Sequence, residues 1–349
     1  MIDQITLSHP YNAHPVHIYA ARRTDQLLLF DVGPMTGSAE ARLSENLNLS
    51  ELTTIFLTHW HADHAGLAAR LADRYGAEVL LSRDSARKLS PPSPEYAGQL
   101  ADILATLGFP NGLAADTVGK VIENTASLTP EIPRYRLLED SPELLSSLGV
   151  SYRNAPWHSQ GDTIYLVDRF AISGDVALRG IFHTPLLDID SSAADGRPYD
   201  SYAAFCDAMM TLAELDHYEF CTGHKQKLES ARHWVLFAVR MLLKRAARLS
   251  HAYGKGKSVY QALLHGNYTP SSDYERFAAA SNVAFHFDFL RRPELLIIAL
   301  QRAGLFHELQ ADFAALFDAA GVSCEKHSDR PPILKCPCGI TGCAAVSYT

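Results

Sequence analysis

Three imidazoles and one carboxylate fall within six residues, His59-Trp60-His61-Ala62-Asp63-His64. Neutral imidazole nitrogens and carboxylate oxygens are the usual ligands of zinc, iron and manganese, so such a cluster points to metal-assisted chemistry. In an extended turn His59 and His61, two residues apart, point to one side. Asp63 and His64 are then directed to a second point nearby, a layout that suits two ions side by side better than one. Three more candidates lie far along the chain. His158 sits in Pro156-Trp157-His158-Ser159-Gln160-Gly161, Asp175 in Ser173-Gly174-Asp175, and His224 in Thr222-Gly223-His224. Each follows a short apolar run or occupies a tight turn of small residues.

The elements that must position these groups are legible from periodicity. The run Thr54-Ile55-Phe56-Leu57 reads as a buried strand that ends in the His cluster, and Leu67–Tyr75 as the helix after it. Strands are predicted at Val16–Tyr19, Gln26–Phe30, Glu78–Leu81, Val150–Asn154, Thr163–Val167, Phe170–Ser173 and Tyr218–Cys221. Helices are predicted at Ser38–Leu47 and Tyr199–Leu215. Strands alternating with helices indicate an α/β layered domain, here spanning residues 1–225. Between about 84 and 136 the pattern changes. After Pro91-Pro92-Ser93-Pro94, two amphipathic stretches, Glu95–Leu107 and Ala115–Thr125, read as an inserted helical hairpin that either packs only or walls a site. From 226 to 327 the chain is helical, with Leu228–Leu249, Val259–His265, Ser272–Arg291 and Pro293–Leu305 forming a small C-terminal helical domain. Residues 328–349 form a Pro- and Cys-containing tail. Cys336, Cys338 and Cys343, with Cys324 upstream, lack the CxxC spacing of structural zinc sites, so a tail with free thiols is expected.

Composition narrows the function classes. In 349 residues, an apolar fraction of 47% is ample for a core, and a net charge of −8 leaves no basic footprint for nucleic acid or anionic membrane. No apolar run is long enough to span a bilayer. The start, Met1-Ile2-Asp3-Gln4, lacks signal-peptide order, and Cys206 and Cys221 stand isolated, so a reducing, cytoplasmic setting is expected.

Taken together, His59-Trp60-His61-Ala62-Asp63-His64, His158, Asp175 and His224 resemble the complete ligand set of the metallo-β-lactamase superfamily. Leu29-Phe30-Asp31-Val32-Gly33 is similar to its early strand–turn element, and the resemblance covers about residues 5–230. It implies an αββα sandwich with the metal site at one edge of two sheets. It also implies one metal on His59, His61 and His158, a second on Asp63, His64 and His224, and Asp175 bridging them. Two divalent ions would be the cofactors, with zinc preferred and iron or manganese as alternatives. In such a centre a bridging hydroxide attacks a carbonyl, and Asp63 manages the proton.

Asp175 favours the thioester, lactone and phosphodiester hydrolases of this superfamily over its true β-lactamases. His61 stands where flavodiiron proteins carry Glu. The expected activity is therefore hydrolysis of a small acyl thioester, or of a related ester or lactone. An iron-dependent persulfide dioxygenase, or a metal-bound regulator with little activity, is the alternative. The C-terminal helices resemble those of glyoxalase-II-like members, where such a block shapes the acyl or thiol pocket and supports homodimers. Ala284-Phe285-His286-Phe287 is similar to an element of that block, although basic residues for glutathione are not found there. Two departures stand out: Trp157 where the family usually has Gly, and Asp162 where a second His is common. With Phe182 and His183, Trp157 is expected to line an aromatic substrate pocket.

Overall fold

The structure is a computed structural model and describes residues 2–8, 14–23, 26–90, 92–126, 131–266 and 268–319. The cysteine-bearing tail, with Cys324, Cys336, Cys338 and Cys343, lies outside the described residues.

Two sheets are stacked face to face. The first has six strands in sequence order, β1 (Ile2–Leu7), β2 (Val16–Arg23), β3 (Gln26–Phe30), β4 (Leu52–Phe56), β5 (Glu78–Leu81) and β6 (Arg136–Leu137). Its first three strands are antiparallel neighbours, and β3 to β6 run parallel. The second sheet, in the order β10-β9-β8-β7, comprises β7 (Val150–Asn154), β8 (Thr163–Val167), β9 (Phe170–Gly174) and β10 (Glu219–Thr222). Only β9 and β10 are parallel in it.

Side-chain alternation explains why these strands read as continuous apolar runs. On β3, Leu28 and Phe30 enter the core between the sheets, whereas Leu27 and Leu29 enter the layer beneath the helices. On β8, Tyr165 and Val167 face the first sheet while Ile164 and Leu166 face outward into helices. Phe30 and Phe56 stack at 5.0 Å, and Tyr165 from the other sheet closes on both at 5.5 and 5.2 Å. Helices 37–46 and 68–75 cover the outer face of the first sheet; helices 201–214, 231–254, 293–302 and 306–319 cover that of the second. The order helix, sheet, sheet, helix is the αββα sandwich that the resemblance implies, followed by a C-terminal helical region. That region shares one continuous core with β8, β9 and β10.

The inserted hairpin (helices 94–106 and 111–126) packs through Leu100, Leu104, Val118 and Val121 against helices 259–265 and 273–291, in a core separate from the sandwich. It also reaches the loop after β9. Lys88 Nζ and Tyr96 Oη each lie 2.7 Å from Asp188 Oδ1, and Gln160 Nε2 donates to Asp188 Oδ2 at 2.7 Å. The hairpin thereby walls the side of the molecule on which β9 and the His158 loop end. No helix among the described residues is long and apolar enough to cross a membrane.

Candidate metal centre

All seven expected donors converge at one edge of the sandwich. The His59–His64 segment leaves the end of β4, and Asp31 the end of β3. His158 lies in the β7–β8 turn, Asp175 directly follows β9, and His224 follows β10. His59 Nε2 is 2.9 Å from His61 Nδ1, which is 3.2 Å from His158 Nε2. Ligands at 2.0–2.1 Å from a tetrahedral ion would be about 3.3 Å apart, so these spacings fit a single ion. Asp63 Oδ2 is 3.3 Å from His224 Nε2 and 3.9 Å from His64 Nε2, a second trio. Asp175 reaches both groups. Its Oδ1 is 3.4 Å from His64 Nε2, and its Oδ2 is 3.5 Å from His224 Nε2 and 3.9 Å from His158 Nε2. Within each of the sets His59/His61/His158, His59/His64/Asp175 and Asp63/His64/His224, one ligand atom per residue lies within 4.8 Å of the others.

Among the described residues, His64 Nε2 and Asp175 Oδ1 are buried and have no hydrogen-bond partner. Buried polar atoms are normally satisfied, so two orphans facing each other across 3.4 Å mark a place for a cation. Glycine keeps that place open. A Cβ at Gly223 would stand 2.4 Å from Asp175 Oδ1 and 2.6 Å from His64 Cε1. Gly174 has φ +50, and a Cβ there would meet Thr58 Oγ1 at 2.4 Å.

The far side of each ring is anchored. His64 Nδ1 donates to Asp31 Oδ2 at 2.7 Å, and Asp31 also accepts from Thr58 N and Thr58 Oγ1, both at 2.8 Å. Thr58 Oγ1 lies 3.0 Å from His59 Nδ1, so one buried carboxylate orients two imidazoles. Asp31 adopts φ 58, a left-handed conformation that Asp tolerates better than most residues. His224 Nδ1 donates to the Pro15 carbonyl at 2.8 Å, and His17 Nε2 holds the neighbouring Lys225 carbonyl at 2.6 Å. Asp31 and His17 are additions to the expected site residues. An Asp that ends a buried strand just before Val-Gly is the available signal for Asp31; nothing in the local pattern marks His17.

Electrostatics divides the donors. Burial, then the neighbouring imidazoles, pushes His59 and His158 well below their ordinary range, and burial lowers His61 too. The shift favours the neutral imidazole, the form that ligates a metal. His64 is different. Burial would lower it, but Asp175, Asp63 and Asp31 together carry it well above its usual value. His224 is raised, with Asp63 and Asp175 outweighing burial. Burial opposes ionisation of Asp63 and Asp175 as well, yet His64 foremost holds both below the usual carboxylate range. The second trio thus gathers negative charge around His64 and His224, the charge that a divalent cation would neutralise.

The expected pocket residues separate. Trp157 is fully buried, its Nε1 donating to the Val176 carbonyl at 3.0 Å, and Phe182 is buried in the same core. They do not line an open aromatic pocket. A large apolar ring beside the His158 turn gains more by filling the layer between sheet and helices than by facing solvent. His183 alone meets the centre. It stacks on Trp157 at 4.8 Å and presents its ring edge-on to His158 at 4.6 Å. Burial lowers it to about 4. Asp162 accepts from Ser159 N and Ser159 Oγ, both at 2.7 Å, and so shapes the turn that carries His158.

A family model described as the metallo-beta-lactamase superfamily matches residues 11–224. A probable metallo-hydrolase of Bacillus subtilis (strain 168), YqjP, is 38% identical over 243 residues, covering 65% of this chain and 72% of that protein. A second from the same organism, YybB, is 23% identical over 194 residues, covering 53% and 76%. Among solved structures, a metallo-beta-lactamase family protein of Thermus thermophilus, TTHA1429, superposes with TM-score 0.62 at 18% identity, covering 84% of this chain and 94% of that one. A beta-lactamase domain protein from Burkholderia ambifaria gives TM-score 0.64 at 15% identity, covering 84% and 87%. These two structures share the fold.

Proposed function

The chain belongs to the metallo-beta-lactamase superfamily, and from that premise we propose that it is a dinuclear metal-dependent hydrolase of a small acyl thioester, or of a related ester or lactone. The observation that carries the reading is Asp175, whose carboxylate stands between the two donor trios, within 3.4–3.9 Å of His64, His224 and His158. His59, His61 and His158 would hold one divalent cation, and Asp63, His64 and His224 the other, with Asp175 shared. Two such ions, zinc by preference, would supply Lewis acidity and a nucleophile at neutral pH.

The chain's own groups supply orientation and proton handling. The side chain of Asp63 is 19% exposed, against 11% for Asp175 and 2% for Asp31, so Asp63 is the carboxylate that substrate and water reach. Ionised throughout the neutral range, it accepts a proton from the attacking water and passes it to the leaving group. Asp31 and Thr58 keep the rings of His64 and His59 fixed as charge develops. His183 limits access on the His158 side. Small molecules fit this reading better than nucleic acid, given the net charge of −8.

Metal quantification joined to an activity panel tests the proposal. Two divalent ions per chain, and hydrolysis of an acyl thioester or lactone that chelation abolishes, are expected. A single iron per chain with oxygen uptake would make it a dioxygenase instead. Fully loaded protein inert to the whole panel would favour a regulatory role.

A further inference from the structure

One wall near the centre holds charge that no carboxylate among the described residues answers. Arg245, on helix 231–254, is partly buried, with its guanidinium 5.0 Å from the Phe182 ring. Its Nη2 donates to the Phe182 carbonyl at 3.0 Å. Among the described residues no carboxylate pairs with it, and the charge that acts on it is that of Arg248, of the same sign. Three other partly buried arginines are paired, Arg292 with Asp200, Arg276 with Asp273 and Arg23 with Asp168, whereas Arg232 is held by the Ala303 and Gly304 carbonyls. A guanidinium partly removed from water without an anion is costly, and a carboxylate brought by a ligand would relieve that cost at Arg245.

Two further polar groups beside it are also unspent. His183 Nε2 and His286 Nε2 are buried without a hydrogen-bond partner among the described residues. His286 is completely buried, and its Nδ1 donates to the Asn282 carbonyl at 2.7 Å, leaving Nε2 as a free acceptor. Arg245 acts electrostatically on both rings. The surroundings are otherwise aromatic, with Phe182 in edge contact with His286 at 6.4 Å and Phe205 at 6.0 Å. Loop 182–189 is tied down here by Asn282 Nδ2 to Thr184 Oγ1 at 2.9 Å and Leu187 N to Ser281 Oγ at 3.0 Å. His183 spans the distance to the metal edge, touching His158 at 4.6 Å.

We propose that Arg245, with His183 beside it, forms a subsite for a carboxylate carried by the substrate, so that the protein prefers anionic over neutral acyl compounds. This rests on the hydrolase reading for its kinetic consequence, though not for the binding itself. The guanidinium receives the carboxylate, and His183 lies between that anchor and the His158 edge where the reacting bond would sit.

Calorimetric titration of glutarate and of inorganic phosphate into metal-loaded protein tests it, with metal content and melting temperature as controls. Glutarate should bind wild type and bind Arg245→Gln about tenfold or more weakly, since a charge-assisted contact is lost. Equal glutarate affinity in the two proteins, or a preference for phosphate, would overturn the assignment. Should Arg245→Gln fail to fold, Arg245→Lys keeps the charge but not the planar fork; unchanged glutarate affinity in that variant overturns it as well. In the kinetic arm, the preference for a succinyl over a butyryl thioester of one thiol should fall about tenfold in Arg245→Gln. A protein that cleaves neither thioester sinks the hydrolase reading, and the glutarate titration still decides the subsite.

Discussion

The two sheets deliver their halves of the centre by different means. The first supplies four donors from one segment, His59 to His64, whose register is set locally by β4, the short helix Ala62–Ala65 and Asp31. The second supplies single donors from three separate places, the β7–β8 turn and the ends of β9 and β10. A contiguous cluster survives small movements of its sheet because its donors move together. A dispersed set keeps its geometry only while strand register and sheet stacking hold. The structure spends polar contacts at that point. Tyr165 Oη of β8 donates to the Leu57 carbonyl and Tyr19 Oη of β2 to the Thr222 carbonyl, both at 2.8 Å, and Thr163 N donates to the Thr58 carbonyl at 2.9 Å. Each of these bonds crosses from one sheet to the other next to a ligand-bearing segment.

Three substitutions probe that difference. Asp175→Ala, on the dispersed side, removes the one carboxylate that both trios share. Metal content should fall by about one ion per chain and hydrolysis by about 10²–10³-fold, with the fold intact. Unchanged metal content would show that Asp175 is not shared.

Asp31→Asn acts behind the contiguous side. The amide retains shape but not the charge that holds Thr58 and His64, and metal affinity should weaken about 10–100-fold, as read by competition with a chelator. An affinity equal to wild type would reduce Asp31 to a turn residue. Tyr165→Phe removes one cross-sheet bond. It should cost about 1 kcal/mol in denaturant unfolding, with metal affinity little changed. A large metal loss without a stability change would show that the brace does not act through the sheets.

Much of the scaffold is readable in the sequence because its physics is local. The runs Gln26–Phe30, Glu78–Leu81, Val150–Asn154 and Thr163–Val167 are strands with the expected boundaries, and Thr163–Val167 is buried on both faces. Helix Val259–His265 also begins where Ser258 invites a cap, and a capping box closes it. Helix Phe306–Ala319 is an addition to the expected elements; its apolar residues Leu309, Phe313, Leu316 and Phe317 are apparent as one stripe only once the core they fill is known. Residue type suggests a pocket for Trp157 and Phe182, and the core takes both. Type alone does not say whether an aromatic ring faces a ligand or the layer behind it.

The types and spacing of His59, His61, Asp63 and His64 by themselves determined that this chain would present metal donors at the end of a buried strand, because a strand's period and the turn after it are fixed within a few residues. That Asp175 stands between two trios was decided only in three dimensions. Its neighbours His64, His158 and His224 are 111, 17 and 49 positions away in sequence, and only the stacking of two sheets with aligned edges brings them within 4 Å. The same holds for Arg245. Its lack of a carboxylate partner among the described residues is a property of what packs around it, and no stretch of sequence states it.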